Sequence, residues 1–156
     1  MLFRSQLGLV ANVEIKPAAG FEVLTGEVVA RQVREFWAGT ELPLVSSFSE
    51  DALLAAREVA PELPLGALYE RPPDDWLTRV NRVAALSLHC DAEQLDDSVL
   101  SRARANGIPL LCYTVNELGA AEALFRRGVM AVFSDRIDCV RDSSEIFLPA
   151  LAMRQP

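Results

Sequence analysis

The stretch Ala-Asn-Val-Glu-Ile-Lys at residues 11–16 joins a short apolar core to two charges of opposite sign. Side chains alternate between the two faces of a strand, so Glu14 and Lys16 emerge on one face while Val13 and Ile15 emerge on the other. A carboxylate and an ammonium side by side at the end of a buried strand can hold a divalent cation and a phosphate together. The same spacing also fits an ordinary ion pair on the solvated rim of a sheet, and both interpretations stay open at this point.

Short apolar runs recur along the rest of the chain and alternate with amphipathic segments. Including the first run, the strand candidates cover residues 9–16, 42–48, 65–70, 83–90, 110–116 and 130–135. Most of these runs are continuous rather than alternating in hydrophobicity, which is typical of parallel strands covered on both faces. The pattern therefore predicts serial right-handed βαβ units.

The segments between the strands carry helix-start and helix-stop signals. Ser49 is predicted to cap the second helix, Asp96 or Asp97 the fourth and Asn116 the fifth, because short polar side chains accept hydrogen bonds from the first free N–H groups of a helix. Gly128 is predicted to end the fifth helix.

Two architectures fit this order of elements. A doubly wound sheet of six strands would be complete at this length, whereas a closed (β/α)₈ barrel needs two more units and about 250 residues. The doubly wound fold predicts a glycine-rich phosphate loop after an early strand. Here the first strand is followed by Pro-Ala-Ala-Gly at residues 17–20, without a G-x-G-x-x-G motif or a P-loop. This absence counts against nucleotide binding.

Composition restricts the classes of partner. Hydrophobic residues make up 51% and charged residues 24% of the 156-residue chain, a balance typical of a folded protein. At this length we expect a single domain over residues 1–156. The net charge of −7 argues against nucleic acid or an anionic membrane as a partner, because both require a basic surface. An anionic substrate would have to be held by a metal ion or by a few local cations.

The sequence points to the cytoplasm. No apolar stretch reaches the length of a membrane span, so we expect no membrane insertion, and the first residues lack the pattern of a signal peptide. The three cysteines, Cys90, Cys112 and Cys139, show no C-x-x-C spacing, which argues against a zinc site and against a disulfide scaffold. Cys112 lies inside an apolar run and is predicted to be an inert buried thiol.

Candidate functional side chains are sought at the carboxyl ends of the strands, where parallel α/β folds gather their chemistry. Beyond Glu14 and Lys16, the candidates for lining a pocket are Ser47, Phe48, His89, Tyr113 and Asn116. Core or rim roles are equally open for the aromatic side chains. No G-x-S-x-G elbow surrounds Ser47, so a serine nucleophile is not expected.

His89 is the single histidine of the chain, so a mechanism that needs two histidines cannot operate on these residues alone. Its position on an apolar strand fits a hydrogen-bonded structural residue better than a catalytic one.

Taken together, the strand ends resemble the glycerophosphodiester phosphodiesterase family, in particular its bacterial cytosolic type associated with glycerol-3-phosphate uptake. The resemblance is carried by a series of motifs: ANVEIKP at residues 11–17, LVSSF at 44–48, APELPLG at 60–66, LSLH at 86–89, YTVN at 113–116, and GV followed by FSD within 128–135. Their order and spacing agree over nearly the whole chain.

The resemblance implies a TIM-type (β/α)₈ barrel that is incomplete, with strands three to eight present and the first two βα units missing. It implies that Glu14 is one of three acidic ligands of a divalent metal, Mg²⁺ or Ca²⁺, and that Lys16 contacts the phosphate. The implied reaction is the hydrolysis of small-molecule glycerophosphodiesters to glycerol 3-phosphate and an alcohol, as part of glycerophospholipid catabolism, with a histidine pair for acid–base work.

The chain departs from the family pattern in the part that would precede residue 11. The family's His-Arg-Gly motif, its Glu-x-Asp pair and the following His-Asp are absent, so no residue of this chain is assigned a catalytic role. We expect an N-terminally truncated enzyme that is inactive as this chain alone. The alternative is a non-catalytic phosphate-binding or scaffold remnant of the barrel.

The missing units have a structural consequence. Removing two strands from a barrel would leave unpaired edges at residues 9–16 and 130–135, and such edges invite pairing with another chain. The sequence therefore predicts a homo-oligomer formed through exposed strand edges.

Overall fold

The computed structural model describes residues 10–136 and 138, and strands alternate with helices throughout this part. In chain order the elements are β1 (Asn12–Ile15), α1 (Glu22–Phe36), β2 (Leu44–Ser47), α2 (Glu50–Val59), β3 (Leu65–Tyr69), α3 (Trp76–Arg82), β4 (Ser87–Asp91), α4 (Asp97–Ala105), β5 (Leu110–Tyr113), α5 (Leu118–Arg127) and β6 (Ala131–Val132). A short 3₁₀ turn, Ala92–Gln94, lies between β4 and α4. The predicted alternation is confirmed.

The chain divides into two compact units between Leu88 and His89, within β4. In the first unit β1, β2, β3 and the start of β4 are neighbours in that order, and β1 and β2, like β2 and β3, are parallel. In the second unit the rest of β4 is followed by β5 and β6, and the last two are parallel. That residues 1–156 act as one domain stays a prediction.

The strand order argues for one of the two predicted architectures. In each unit neighbouring strands are also consecutive in the sequence, whereas a doubly wound sheet reverses its strand order at a switch point. Parallel strands in chain order with a helix after each strand are the arrangement of a TIM-type barrel. The assignment of these strands as barrel strands three to eight stays a prediction.

The observed strands are shorter than the predicted ones, and β4 starts four residues later than expected. Val83 is buried at the end of α3, and Ala84 adopts a left-handed conformation with φ of 50°, which turns the chain before the strand. The prediction that this strand begins at residue 83 is therefore wrong. The end of a helix and a buried strand can both be apolar runs, and hydrophobicity alone does not tell them apart. The predicted strand start at residue 9 lies outside the described residues.

The predicted caps agree with the structure at three of four helix ends. The Ser49 hydroxyl accepts a hydrogen bond from the Ala52 N–H at 3.2 Å, and the Asp96 carboxylate accepts one from the Val99 N–H at 2.8 Å. Gly128 follows α5 with a φ of 102°, a left-handed conformation that favours glycine.

The prediction that Asn116 caps α5 is wrong. Its side-chain oxygen instead accepts hydrogen bonds from the Ser134 hydroxyl at 3.1 Å and the Asp135 N–H at 2.9 Å. The helix begins after Glu117, whose side chain makes no capping hydrogen bond. The side chain of Asn116 is thus occupied by residues after β6, which are distant in sequence, and does not cap the helix.

Small residues allow α1 and α2 to pack closely in the first unit. A Cβ atom at Gly26 would collide with the backbone carbonyl of Ala52, so α1 approaches α2 at a distance that only glycine permits. Ala30, Ala52 and Ala56 are fully buried around this contact. α1 also packs on β1, and α2 packs on β2 and β3.

In the second unit, Cys90 on β4 and Cys112 on β5 form a buried pair of free thiols. Their mutual hydrogen bond, together with burial, raises the pKa of the Cys90 thiol above its ordinary value. Both thiols are fully shielded from solvent, which agrees with the expectation of a buried thiol at Cys112. Cys139 lies outside the described residues.

Among the described strands, β1 is outermost in the first unit and β6 is outermost in the second. An oligomer that forms through these edges stays a prediction.

Within the described residues, no helix is long and apolar enough to cross a membrane.

Candidate functional site

Glu14 and Lys16 lie side by side at the carboxyl end of β1, as predicted from their spacing. The Lys16 ammonium nitrogen is 3.4 Å from one carboxylate oxygen of Glu14, and the side chains are 76% and 28% exposed. The other oxygen, Oε1, is buried and has no hydrogen-bond partner among residues 10–136 and 138. An ordinary rim ion pair would leave both oxygens solvated, so the arrangement leaves a buried acceptor ready for a ligand.

Ser46 is the neighbour of this carboxylate on the next strand. Glu14 and Ser46 are register partners in the parallel pair β1 and β2, so their side chains emerge on the same face. Ser46 is fully buried, and its hydroxyl also lacks a hydrogen-bond partner in the described part of the chain. Two unpartnered buried oxygens on one face are unusual in a folded protein and mark this place as a candidate polar site.

Ser47, which the sequence suggested as a pocket residue, emerges on the opposite face and is 1% exposed. Its hydroxyl donates a hydrogen bond to the Ile15 carbonyl at 2.8 Å and accepts one from the Ser49 N–H at 3.0 Å. These contacts fix the end of β2 to the end of β1. Its role as a pocket-lining residue stays a prediction. Ser46 also ends the predicted second strand, but Ser47 was chosen over it as the pocket candidate. The parallel register, which no local pattern reveals, was the missing signal.

A recess opens next to Lys16 in the same unit. It is shallow and open to solvent, with a volume of about 410 Å³, and is lined by the end of β1, the loop after it, the first turn of α1 and the two residues after β2. Lys16, Glu22 and Phe48 contribute its larger side chains, with Pro17 and Ala19 between them. Phe48 is 51% exposed there.

His89 lies in the second unit, at the point where β4 enters it. The imidazole is fully shielded from solvent and contacts the Phe133 ring, with centroids 5.4 Å apart and planes tilted by 45°. Burial lowers the pKa of His89 to about 4, so the ring is neutral at neutral pH. A buried neutral imidazole next to an aromatic ring is a structural arrangement.

The remaining two candidates also belong to the second unit. Tyr113 is the last residue of β5 and is partly exposed. Asn116 is exposed, and its side-chain oxygen is engaged by Ser134 and Asp135 as described above. The structure thus places Glu14, Lys16, Ser47 and Phe48 in the first unit and His89, Tyr113 and Asn116 in the second. Pocket roles for these residues stay predictions.

The donor set for a metal is incomplete. Among the described residues, no group of three or more histidine, cysteine, aspartate or glutamate side chains comes together. Mg²⁺ and Ca²⁺ take six or more oxygen ligands. Glu14 with its buried free oxygen fits the chemistry of one such ligand, but a single carboxylate does not form a metal site.

Comparison with known proteins places the chain in a family. The model of the Glycerophosphoryl diester phosphodiesterase family matches residues 3–139. A glycerophosphodiester phosphodiesterase from Caldanaerobacter subterraneus subsp. tengcongensis is 26% identical over 126 residues, which are 80% of this chain and 51% of the relative.

Solved structures show the same likeness. A phosphodiesterase from Oleispira antarctica, in complex with the product sn-glycerol-3-phosphate, is 31% identical with a TM-score of 0.79, over 85% of this chain and 53% of that one. A glycerophosphodiester phosphodiesterase from Thermotoga maritima is 22% identical with a TM-score of 0.65, over 85% of this chain and 57% of that one, and at that identity it supports the fold alone. The chain spans about half the length of these relatives. Since the family model matches most of its residues, the chain belongs to the glycerophosphoryl diester phosphodiesterase family.

Proposed function

We propose that the protein acts in the metal-dependent hydrolysis of glycerophosphodiesters to glycerol 3-phosphate and an alcohol. Membership of the family supports this reaction class, and so does the glycerol 3-phosphate bound by the Oleispira antarctica phosphodiesterase. Lipid catabolism in the cytoplasm is the proposed setting.

The single observation that carries the proposal is the pair at the end of β1. Lys16 presents a largely exposed ammonium group, and Glu14 beside it keeps one oxygen buried and unpartnered in the described part of the chain. An ammonium acts as a point-charge donor to a phosphate oxygen, and a carboxylate oxygen is a hard ligand for a divalent cation. The protein has a net charge of −7, so a local cation is needed to attract a phosphodiester anion at all.

Within this proposal Lys16 binds and orients a phosphate oxygen, and Glu14 contributes one oxygen to a bound Mg²⁺ or Ca²⁺. Such an ion, when bound, stabilises negative charge on the phosphoryl oxygens. Glu14 supplies one of the six or more oxygen ligands that such an ion takes, and the proposal assigns no other ligand within this chain.

A second function, phosphate binding without turnover, is favoured for the 156-residue chain acting alone. The chain contains one histidine, and that residue is buried, neutral and in contact with Phe133. A general acid and a general base must reach the substrate, and His89 supplies neither. We propose that this chain alone binds a phosphorylated ligand and does not hydrolyse it at an enzymatic rate.

Lys16 makes the binding step easy to test, since it is the only lysine in the chain. Reductive methylation with ¹³C-labelled formaldehyde keeps its charge and gives one side-chain NMR signal, separate from that of the terminal amine. Addition of glycerol 3-phosphate with Mg²⁺ or Ca²⁺ is expected to shift this signal in a saturable way. A Glu14→Gln variant is expected to weaken the metal-dependent part of the shift.

The control is Arg31→Gln, which removes another exposed cation, one that pairs with Glu27, and is expected to leave the titration unchanged. A Lys16 signal that does not respond to glycerol 3-phosphate, with or without either metal, would contradict the proposal. Turnover is tested separately with glycerophosphocholine: release of glycerol 3-phosphate by this chain at an enzymatic rate would refute the second function and support the first.

Self-association is proposed through the outer edges of β1 and β6. Sedimentation velocity is expected to show a dimer or higher oligomer, and a stable monomer at all concentrations would contradict it.

A further inference from the structure

Two of the three cysteines of the chain lie in contact inside the second unit. Cys90 on β4 and Cys112 on the neighbouring strand β5 are both fully shielded from solvent, and their thiols share a hydrogen bond. Neighbouring strands lie about 4.8 Å apart, which is within the roughly 4.4–6.8 Å that separates the Cα atoms of disulfide-bonded cysteines. The two sulfur atoms can therefore be joined with little movement of the backbone.

The shared hydrogen bond makes the two thiols unequal. It raises the pKa of Cys90 and lowers the pKa of Cys112, and the Arg127 guanidinium lowers the pKa of Cys112 further, against the opposing effect of burial. The thiolate is the form of cysteine that attacks an oxidant. Cys112 is thus suited to react first, and Cys90 lies beside it with a protonated thiol that can complete the reaction.

Cys112 also lies next to the outermost described strand of the second unit. Its register partner is Val132 on β6, a strand of two residues that are both partly exposed. The edges and ends of a structure open locally at a lower free-energy cost than its core. A local opening of β6 would admit a molecule as small as hydrogen peroxide to the Cys112 sulfur.

We propose that Cys90 and Cys112 are a site of reversible oxidation, at which hydrogen peroxide converts the two thiols into a disulfide. The Cys112 sulfur attacks one peroxide oxygen, so that an S–O bond forms and the O–O bond breaks, which leaves a sulfenic acid and one molecule of water. The Cys90 sulfur then attacks the Cys112 sulfur, an S–S bond replaces the S–O bond, and a second water leaves with the proton of Cys90. Two electrons pass from the sulfur atoms to the peroxide.

This site uses no residue of the proposed phosphate site, so it is independent of the proposed function. It differs from the expectation of an inert thiol at Cys112, because that expectation took no account of a second thiol beside it. A dithiol reductant reverses the oxidation by thiol–disulfide exchange.

The test treats the full 156-residue chain with hydrogen peroxide, alkylates the remaining thiols and digests the protein with trypsin without a reductant. Cleavage after arginine places Cys90, Cys112 and Cys139 on three different peptides, which span residues 83–102, 105–126 and 137–141. A linked pair of the first two peptides is expected, lighter than their sum by two hydrogen atoms, and dithiothreitol is expected to abolish it. Non-reducing electrophoresis is expected to show that both peptides come from one chain.

The first control is the same treatment in urea. Unfolding is expected to lower the ratio of the Cys90–Cys112 disulfide to disulfides of Cys139 several-fold, because the fold no longer holds the two thiols together. The second control is Cys90→Ser, which keeps a hydrogen-bond donor but removes the second sulfur. In this variant the sulfenic acid on Cys112, trapped with dimedone, is expected to accumulate several-fold above its level in the unsubstituted chain.

Three results would each overturn the site. The first is a peroxide-treated folded chain in which Cys90 and Cys112 stay reduced, or are linked only to Cys139 or to another chain. The second is an equal ratio of the disulfides in the folded and the unfolded chain. The third is a sulfenic acid on Cys112 that does not increase when Cys90 is replaced by serine.

Discussion

Glu14 and Ser46 lie opposite each other on β1 and β2, and each holds a buried oxygen atom without a hydrogen-bond partner among the described residues. Burying a polar group without a partner reduces stability. The two unsatisfied oxygens therefore reduce the stability of the sheet at this place. Such a local loss of stability is typical of a functional site.

Replacing Ser46 by alanine is expected to leave the free energy of unfolding unchanged or to raise it by about 1 kcal/mol, because it removes an unsatisfied hydroxyl. Ser47→Ala is the control on the same strand, and it is expected to lower the free energy of unfolding by about 1–3 kcal/mol, since it removes two hydrogen bonds. Urea unfolding measures both. A larger loss for Ser46→Ala than for Ser47→Ala would show that the Ser46 hydroxyl has a stabilising partner.

Gly26→Ala is expected to destabilise the protein by about 1–3 kcal/mol, although alanine favours helices, because the added methyl group collides with the Ala52 carbonyl. Gly119→Ala on α5 is the control: nothing lies within 4 Å of a Cβ atom there. That variant is expected to stabilise by about 0.4–1 kcal/mol. Thermal unfolding compares the two, and stabilisation by both would mean that α1 and α2 are not in close contact.

Arg57 joins three backbone carbonyl groups in the first unit. Its guanidinium donates hydrogen bonds to the carbonyls of Pro61 at 2.6 Å, Leu63 at 2.9 Å and Ala84 at 2.9 Å. Arg57→Lys is expected to lower the free energy of unfolding by about 2–3 kcal/mol, because an ammonium group cannot reach all three acceptors.

Arg31→Lys serves as the control for Arg57, since Arg31 forms an exposed ion pair with Glu27. That variant is expected to change stability by less than about 0.5 kcal/mol. If the two variants were equally stable in urea unfolding, the carbonyl contacts of Arg57 would contribute nothing measurable.

His89 is expected to make stability depend on pH. Burial lowers its pKa from 6.5 to about 4 in the folded protein, so the unfolded chain binds the proton more readily. Stability is then fully present above pH 6.5 and decreases as the pH falls from there towards 4. The loss attributable to this group is about 2–3 kcal/mol.

The measurement for His89 is direct because the chain has one histidine. Its imidazole ¹H–¹³C signal is expected to stay constant between pH 8 and pH 5, and a His89→Leu variant is expected to lose much of the acid sensitivity in urea unfolding. A titration midpoint near 6.5 in the folded protein would contradict the buried, neutral ring.

The order of elements and the family were predictable from the sequence because the signals are local. Continuous apolar runs mark buried parallel strands, and Ser49, Asp96 and Gly128 mark helix ends by their own chemistry. The start of β4 was not predictable, because Val83 at the end of α3 is as apolar as the residues of the strand.

The site was predictable only in part. The two-residue spacing places Glu14 and Lys16 together without any tertiary information. The choice between Ser46 and Ser47 depends on the register of β2 against β1, and the engagement of Asn116 depends on Ser134, eighteen residues away. Pairings between distant segments leave no periodic trace, so a single sequence cannot reveal them.

Ser47 has one more consequence. Its hydroxyl donates to the Ile15 carbonyl, just before Lys16, and accepts from the Ser49 N–H, at the start of α2. One buried side chain therefore fastens the backbone that carries Lys16 to the backbone that begins the next helix. A substitution at Ser47 would loosen the position of Lys16 as well as weaken the sheet, although Ser47 itself touches no ligand in this scheme.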